Sequence, residues 1–512
     1  MVCFYLKISK TELNSMRKIF LKSIFFFCLA LPSYGQEKID GSDDYVINKK
    51  NMQSEFKLIT IDPKGINPLF GNVGKLENIK VTVGNYMTLW VFPKEEHKKS
   101  SITWDIYAPK AGTYDVSASV EAWGANYTLL CNDKTVKTIA EPYGGFKIVE
   151  FGKLDLVKGK NTLVIEMTNT LKKQRFSHLT IVEENYHTKV LARALESRVQ
   201  EEWFKNAGYG LMFQWTNRAT PPMGKVKAWE QKVNDFKLDA FLEAVESSGA
   251  KYVVWSITWG EQYISAPIKS LDKILTGRTT TRDLLGEMAD ALHQRGVKLI
   301  FYYHYGYDCM HSTDAEWMKA VGGYKADKTM LYDNWMNIIA EIGKRYGDKL
   351  NGWWFDGGAR YLNCHFDGSP ADKGIITAPF EQMTKVARTG NPKRMVAYNS
   401  WIKPRITEFQ DYYGGEGSSS FNGRTLDNGV FISGKQQGLQ AHGCFIFEKH
   451  WGRLEHDTPI PESKRSVEWL EQIVTKARTN KTPISINLEM YEDGTISPHT
   501  LSLLKEFNKR VN

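Results

Sequence analysis

Hydrophobic and polar residues follow two different patterns along the chain. Between about Val81 and Val182 they alternate in short segments such as Ser101–Tyr107 and Thr162–Met167, separated by turn sequences such as Pro109–Gly112. Period-two alternation at this spacing is typical of an antiparallel β-sandwich. The pattern therefore predicts a sandwich domain over residues 36–190.

Beyond this region, apolar strands alternate with amphipathic helices. Four apolar residues from Leu238 to Val245 fall at i, i+3, i+4 and i+7 before Gly249, and a second apolar face, Leu284–Leu292, ends before Gly296. Each pattern predicts a helix with one buried face and a glycine at its end.

Eight strands are predicted in this second region: 208–215, 251–257, 298–304, 352–356, 395–399, a stretch near 408–413, 444–448 and 483–487. Eight strand–helix units in about 300 residues predict one (β/α)8 barrel, which places the active site at the carboxyl ends of the strands. The fold class is therefore multidomain, with a sandwich followed by a (β/α)8 TIM-like barrel over residues 195–512.

The first 35 residues have the features of a signal peptide. A basic pair, Arg17-Lys18, precedes the apolar stretch 19–32, and small residues follow before a cleavage site near Gly35. Such a leader predicts export to the periplasm or the extracellular space, and its apolar stretch is too short to span a membrane.

Composition narrows the possible partners. Hydrophobic residues make up 42% of the chain and charged residues 24%, which is typical of a folded globular protein. The leader carries five basic residues and Glu12, so its removal lowers the formal net charge from +9 to about +5. This charge is mild and forms no basic stripe, so no nucleic-acid partner is predicted.

The cysteines do not predict a metal site. Beyond the leader the chain has Cys131, Cys309, Cys364 and Cys444, without metal-ligand spacing. A disulfide and buried free thiols are both compatible with export. Neither a metal nor an organic cofactor is predicted.

Polar and aromatic residues stand at the ends of several predicted strands, where a barrel builds its active site. They are Gln214, Trp215, Trp259, His304, Asp356, Asn399, Glu416 and Glu448. Asp356 follows three aromatic residues and precedes two glycines, a position that suits either a catalytic carboxylate or a turn-forming aspartate. Any single tryptophan suits either sugar stacking or the core.

Glycoside hydrolysis with retention requires a second carboxylate about 5 Å from the nucleophile, which protonates the leaving oxygen and then deprotonates water. Glu416 lies in the glycine-rich loop Gly414–Gly417, which allows the backbone to approach a ligand. Glu448 stands beside Lys449 and His450, where a structural ion pair is equally consistent.

Four segments of the second region resemble the α-L-fucosidase family in order and spacing. They are GAKYVVWS (249–256), DLLGEMADALHQRGVKLIFYYHYGYD (283–308), GWWFDG (352–357) and SVEWLEQIVTKARTNKTPISINLEMYEDGTISP (466–498). The resemblance implies a retaining mechanism with Asp356 as nucleophile. It also implies that Glu416, at the end of the D-[FY]-x-x-x-E motif that begins at Asp411, is the acid/base in preference to Glu448. The substrate-binding residues predicted from the strand ends and these motifs together are Gln214, Trp215, Trp259, Glu261, His304, Trp354, Asn399 and Trp401.

The chain departs from the family pattern in two places. Gln214-Trp215-Thr216 stands where the family has His-Trp-Gly, and Thr258–Tyr263 stands where it has Lys-His-His-Asp-Gly-Phe. Three histidines that would bind fucose hydroxyls are therefore replaced, and a site that lacks such partners discriminates against the sugar that needs them. The resemblance thus implies fucose or a related or modified sugar, with Trp259 facing an apolar substituent.

The first region resembles the galactose-binding-like sandwiches of carbohydrate-binding modules, in APKAGTYDVSASVEA (108–122) and LVKGKNTLVIEM (156–167). Sugar binding and structural support of the barrel are both open for it, because fold alone does not give function.

Two functions are compatible with the whole chain. The first is a secreted retaining exo-glycosidase of α-L-fucosidase type that acts on a terminal sugar of a glycan. The second is a catalytically degenerate carbohydrate-binding protein on the same fold. Retention of both Asp356 and Glu416 favours the enzyme, since a binding protein has no need for two close carboxylates.

Overall fold

The computed structural model describes residues 58–83, 89–141, 145–304, 314–323, 328–357, 378–399, 407–418, 426–432 and 437–512. The predicted signal peptide 1–35, Cys309, Cys364 and Trp401 lie outside these residues. No helix in the described ranges is long and apolar enough to cross a membrane.

The strands that precede residue 184 form two sheets. They are β1 (Ile59–Thr60), β2 (Ile66–Phe70), β3 (Lys75–Glu77), β4 (Ile79–Val83), β5 (Leu89–Pro93), β6 (Ser100–Ala108), β7 (Gly112–Ala122), β8 (Asn126–Cys131), β9 (Lys134–Ala140), β10 (Gly145–Leu156), β11 (Gly159–Thr168) and β12 (Arg175–Glu183). One sheet has the order β1-β6-β11-β8-β9, with β3 also on β6, and the other has the order β10-β7-β12-β5-β4, with β2 also on β12.

The two sheets share one hydrophobic core. Alternate residues of β11, including Leu163 and Ile165, point inward and pack with residues of the other sheet such as Val116 and Leu179. Side chains alternate between the two faces of a strand, so the period-two pattern of the sequence becomes one buried face per sheet. Cys131 lies in this core as a buried free thiol.

Helix α1 (Glu184–Ser197) connects the sheets to the second half of the chain. The Glu183 carboxylate caps it by accepting a hydrogen bond from the Tyr186 amide at 2.7 Å. Val190 and Ala194 are buried in the core of the second half, while His187 bonds Asp115 of β7 at 2.8 Å. The helix therefore contacts both parts of the molecule.

Helices surround the second half of the chain. After α1 they are α2 (Glu202–Asn206), α3 (Trp229–Asn234), α4 (Leu238–Ser248), α5 (Lys269–Ile274), α6 (Leu284–Gln294), α7 (Ala315–Val321), α8 (Thr329–Tyr346), α9 (Phe380–Ala387), α10 (Val467–Asn480) and α11 (Pro498–Val511). The two helices predicted from their apolar faces are confirmed as α4 and α6. Gly249 ends α4 in the left-handed conformation, at φ 71°.

A parallel sheet of seven strands lies inside these helices, in the order β17-β16-β15-β14-β13-β21-β20. The strands are β13 (Tyr209–Phe213), β14 (Tyr252–Ser256), β15 (Lys298–His304), β16 (Leu350–Asp356), β17 (Met395–Tyr398), β20 (Gly443–Ile446) and β21 (Ile484–Leu488), and a separate hairpin is formed by β18 (Leu426–Asp427) and β19 (Val430–Phe431). Residues that face the helices form the larger core, whereas Met212, Tyr302 and Trp354 belong to a second cluster on the inner face of the sheet.

The predicted sixth strand, near 408–413, is not a regular strand in the structure. The Asp411 backbone amide donates to the Val396 carbonyl of β17 at 2.8 Å. The Val396 amide, however, donates to the Asp411 side-chain carboxylate at 2.7 Å instead of to a backbone carbonyl. On the other side Gly415 accepts from Cys444 of β20 at 2.9 Å. The segment thus bonds both β17 and β20, but a carboxylate replaces a backbone acceptor and prevents a regular ladder.

Candidate active site

Two carboxylates meet at the carboxyl end of the parallel sheet. Asp356 is the last residue of β16, and Glu416 follows the glycine pair Gly414-Gly415. The Asn399 side-chain amide donates to both of them, to Asp356 Oδ1 at 3.1 Å and to Glu416 Oε2 at 2.6 Å. The sum of these two distances limits the separation of the two oxygens to about 5.7 Å, which matches the spacing of retaining glycosidases and is shorter than that of inverting ones.

Hydrogen bonds from Asn399, Tyr302 and Gly357 are among the contacts that hold Asp356. Besides the bond from Asn399, its Oδ2 accepts from the Tyr302 hydroxyl at 2.6 Å and its Oδ1 accepts from the Gly357 amide at 2.9 Å. The Tyr302 ring stacks on Trp354 with 5.1 Å between centroids and 22° between the ring planes, which restricts the orientation of the phenol. Burial and the charge of Asp356 raise the pKa of Tyr302 well above its ordinary value, so the phenol remains a donor.

Glu416 is the better proton donor of the pair. Burial of its carboxyl group, followed by the negative charge of Asp356, raises the pKa of Glu416 to about 8. Near neutral pH Glu416 therefore carries the proton that a general acid needs. The two carboxyl groups differ in environment, as the two roles of a retaining glycosidase require.

Glu448 occupies a different environment. Its Oε1 accepts from the Thr500 hydroxyl at 2.8 Å and its Oε2 accepts from the Glu489 amide at 3.1 Å. Within the described residues, none of its hydrogen bonds goes to Asp356 or Glu416. The alternative of a structural ion pair with Lys449 or His450 is not found either, since both of those residues pair with Glu455.

Gln214, His304 and Trp354 point to the same side of the sheet as Asp356. The Gln214 amide hydrogen-bonds the Tyr302 phenol, and its Oε1 has no partner among the described residues. His304 stands opposite Asp356 on the neighbouring strand β15, and its backbone is bonded by Thr258 and Gln262. The Trp354 indole donates to the Gly414 carbonyl at 3.0 Å, which connects β16 to the loop of Glu416.

Trp259 and Glu261 lie on the loop after β14, where both are partly exposed. Trp259 packs against the inner cluster that contains Tyr302, and Glu261 accepts from the Asn217 side chain. Trp451 is also partly exposed and packs on the same cluster, although the sequence motifs did not indicate it. Trp259 and Trp451 therefore offer partly exposed apolar surface on the cluster that contains Tyr302 and Trp354.

Trp215 is not brought to this site. Its ring is 1% exposed and packs against Trp229, Phe236 and Trp255, while its indole donates to the Tyr491 carbonyl at 3.2 Å. The reason is the alternation of side chains along the strand: Gln214 faces inward, so its neighbour faces the helices. No group of three or more His, Cys, Asp or Glu side chains in the described ranges could hold a metal ion.

Two further residues position the segment that carries Glu416: Asp411, the first residue of the D-[FY]-x-x-x-E motif, and His442, which lies in no motif. Asp411 bonds Arg388 through both carboxylate oxygens at 2.8 Å, in addition to the Val199 and Val396 amides. His442 is buried and bonds the Gly414 carbonyl at 2.9 Å. Both residues hold the segment that carries Glu416.

No curated protein sequence matches this chain. Among solved structures it is similar to alpha-L-fucosidase isoenzyme 1 from Paenibacillus thiaminolyticus (17% identity, TM-score 0.44, 63% of this chain and 76% of that one). It is also similar to an alpha-L-fucosidase from Bacteroides thetaiotaomicron (16%, 0.42, 61% and 74%) and to an endo-fucoidan hydrolase of glycoside hydrolase family 107 (15%, 0.45, 62% and 53%).

The family model for alpha-L-fucosidase matches residues 176–509, from the last strand of the second N-terminal sheet to the last helix. The match includes both carboxylates of the site and all seven strands of the parallel sheet. Since it spans well over half of the chain, this protein belongs to the alpha-L-fucosidase family and is a glycoside hydrolase.

Proposed function

We propose that this chain is an exported retaining exo-glycosidase that releases a terminal fucose, or a related or modified sugar, from glycans. The observation that carries the proposal is the Asn399 amide, which bonds Asp356 and Glu416 at once and keeps their oxygens within about 5.7 Å. In the first step Asp356 attacks the anomeric carbon, the glycosidic C–O bond breaks, and Glu416 gives its proton to the leaving oxygen. In the second step Glu416 takes a proton from water, the water oxygen attacks the anomeric carbon, and Asp356 is released.

The proposal includes the order of the domains and the location of the protein. A signal peptide over residues 1–35 is removed, a sandwich over 36–190 follows, and the catalytic barrel extends over 195–512. The bonds from the segment Asp411–Glu416 to both β17 and β20 support a barrel that closes in eight positions, the sixth of which is irregular.

The substrate of this site is a sugar other than unmodified fucose, or it is fucose held by different contacts from those that the family resemblance implies. Gln214 stands where the family resemblance implies a histidine, and a sugar hydroxyl would supply the partner that its Oε1 lacks. Trp259 supplies an apolar face where the resemblance implies polar side chains that bind sugar hydroxyls. Such a face suits a methyl group or an apolar substituent on the sugar. Such replacements shift the preference between related sugars, since an unpaired buried polar group discriminates strongly.

The experiment compares the purified protein with the variants Asp356→Ala and Glu416→Gln on an aryl α-L-fucoside and on a panel of glycans with terminal fucose, substituted fucose and L-galactose. The released monosaccharide is identified by chromatography, and its anomeric form is followed by NMR. Release that disappears in Asp356→Ala, with first-formed product of retained configuration, is expected. Glycan binding without release from any substrate would instead favour the degenerate carbohydrate-binding protein, and inverted product would refute the double displacement.

A further inference from the structure

A buried chain of hydrogen bonds ends at the loop that carries Glu416. The Tyr252 hydroxyl lies 3.0 Å from Ser485 Oγ, Ser485 Oγ lies 2.9 Å from His442 Nε2, and His442 Nδ1 lies 2.9 Å from the Gly414 carbonyl oxygen. All three side chains are at most 1% exposed. The chain connects two inner strands, β14 and β21, to Gly414.

Elementary donor rules fix every proton in this chain. A carbonyl oxygen only accepts, so His442 Nδ1 carries the proton, which it donates mainly to Gly414 at 2.9 Å and also to the Tyr413 carbonyl at 3.2 Å. Burial lowers the pKa of His442 to about 4, so the ring is neutral and Nε2 accepts from Ser485. Ser485 in turn accepts from Tyr252. The imidazole is therefore held in one tautomer and one orientation.

The loop that His442 contacts makes a tight turn directly against residue 442. Gly415 has a φ of 73°, and a Cβ at this position would lie 2.0 Å from the His442 backbone carbonyl, so the turn depends on glycine and on close contact with residue 442. The Gly414 carbonyl accepts from Trp354 as well as from His442. Two donors on one oxygen thus fix the peptide that is two residues before Glu416.

We propose that His442 is a positioning residue for the acid/base, which fixes the Gly414 carbonyl and thereby places the Glu416 carboxyl on Asn399 and beside Asp356. This inference rests on the proposed function of Glu416. His442 does not contact Glu416 and takes no proton from it, because both of its ring nitrogens are occupied. Its effect on the reaction passes through the backbone of the loop.

A matched pair of substitutions tests the hydrogen bonds of the two ring nitrogens one at a time. In His442→Asn the side-chain amide occupies the place of Nδ1 and still donates to Gly414, but the contact with Ser485 is lost. In His442→Gln the side chain reaches Ser485, but the donor to Gly414 is lost. The proposal requires the Gln variant to damage the acid/base step and the Asn variant to preserve it.

The assay compares two leaving groups on the same sugar, 4-nitrophenyl α-L-fucoside and methyl α-L-fucoside. The nitrophenolate leaves with little protonation, whereas the methyl glycoside needs a well-placed acid. We expect His442→Gln to lose at least about tenfold more kcat/KM on the methyl glycoside than on the nitrophenyl glycoside, and His442→Asn to lose equally on both. The alkaline limb of the pH–rate profile is expected to move to lower pH in His442→Gln only, because a displaced Glu416 carboxyl is better hydrated.

The buried His178 in the N-terminal sheets provides a control. It bonds the Ser177 hydroxyl at 2.9 Å, and His178→Gln is expected to lower thermal stability without any dependence on the leaving group. Equal losses of His442→Gln on the two substrates would refute the inference. Crystal structures of both variants test the inference without measuring activity. If Glu416 stays within hydrogen-bonding distance of Asn399 in His442→Gln, the positioning role of His442 is refuted as well. Wild-type protein that releases no sugar at all would refute the proposed function instead.

Discussion

Asn399→Ala tests whether the shared amide organises the site. The substitution removes both hydrogen bonds, at 3.1 Å to Asp356 and at 2.6 Å to Glu416. A hydrogen bond to a charged group contributes about 1.5–3 kcal/mol, and water can replace one of the two contacts. Counting one bond, and with a factor of ten for about 1.4 kcal/mol, kcat/KM is expected to fall about 10- to 150-fold.

The assay is initial-rate hydrolysis of the best substrate identified for the wild-type protein, together with the pH–rate profile. Because the Asn399 hydrogen bond lowers the pKa of Glu416, its loss is expected to move the alkaline limb to higher pH. Asn351→Ala is the control, since Asn351 also makes two hydrogen bonds on β16 but near the amino end of the strand, and it is expected to change stability alone. An Asn399→Ala variant with kinetics within about threefold of wild type would refute this account of the site.

Three further outcomes follow from the same contacts. With the pKa of Glu416 raised to about 8, kcat/KM is expected to fall as the pH rises through about 8, and a profile that is flat to about pH 10 would contradict the acid role. Burial also raises the pKa of Glu448 to about 8, above its ordinary 4.5, so the stability that this carboxyl contributes is complete below pH 4.5 and is lost as the pH rises to about 8. Urea unfolding is therefore expected to show that Glu448→Gln becomes more stable than wild type as the pH rises from 4.5 to about 8, while activity is retained. Loss of activity in Glu448→Gln would instead indicate that Glu448 is the acid/base. Gly415→Ala places a Cβ 2.0 Å from the His442 carbonyl at a φ of 73°, where backbone strain alone costs about 1–3 kcal/mol. Because the clash adds to this strain, activity is expected to fall by more than about tenfold, and wild-type kinetics would contradict the tight turn.

The sequence predicts those parts of the molecule that follow from a regular period. The apolar faces of α4 and α6 and the strands β13 to β17 are found where the pattern places them. The same period also predicts the position of Trp215. Residues 214 and 215 face opposite sides of the sheet, so Gln214 points toward Tyr302 and Trp215 packs in the core beneath the helices.

The remaining features depend on tertiary contacts that no local pattern encodes. The segment 408–413 contains three aromatic residues, which favour a strand, but the Asp411 carboxylate takes the place of a backbone acceptor beside Val396. Glu416 and Glu448 both stand near predicted strand ends; the family motif favours Glu416, and the bond from Asn399 that joins it to Asp356 is visible only in the folded chain. His442 lies in a stretch without a motif, so its contact with Gly414 could be found only in the folded chain.

The pairing of β13 with β21 determines when the enzyme can complete its fold. Tyr209 pairs with Ile484, so two adjacent strands of one sheet are separated by about 270 residues of chain. While the polypeptide is being synthesised, β13 has an open edge until the last strands emerge, and such an edge is prone to pair with other chains. A nascent chain of this protein therefore exposes this edge for most of its synthesis, and removal of the residues from β21 onward is expected to yield aggregates rather than a smaller active enzyme.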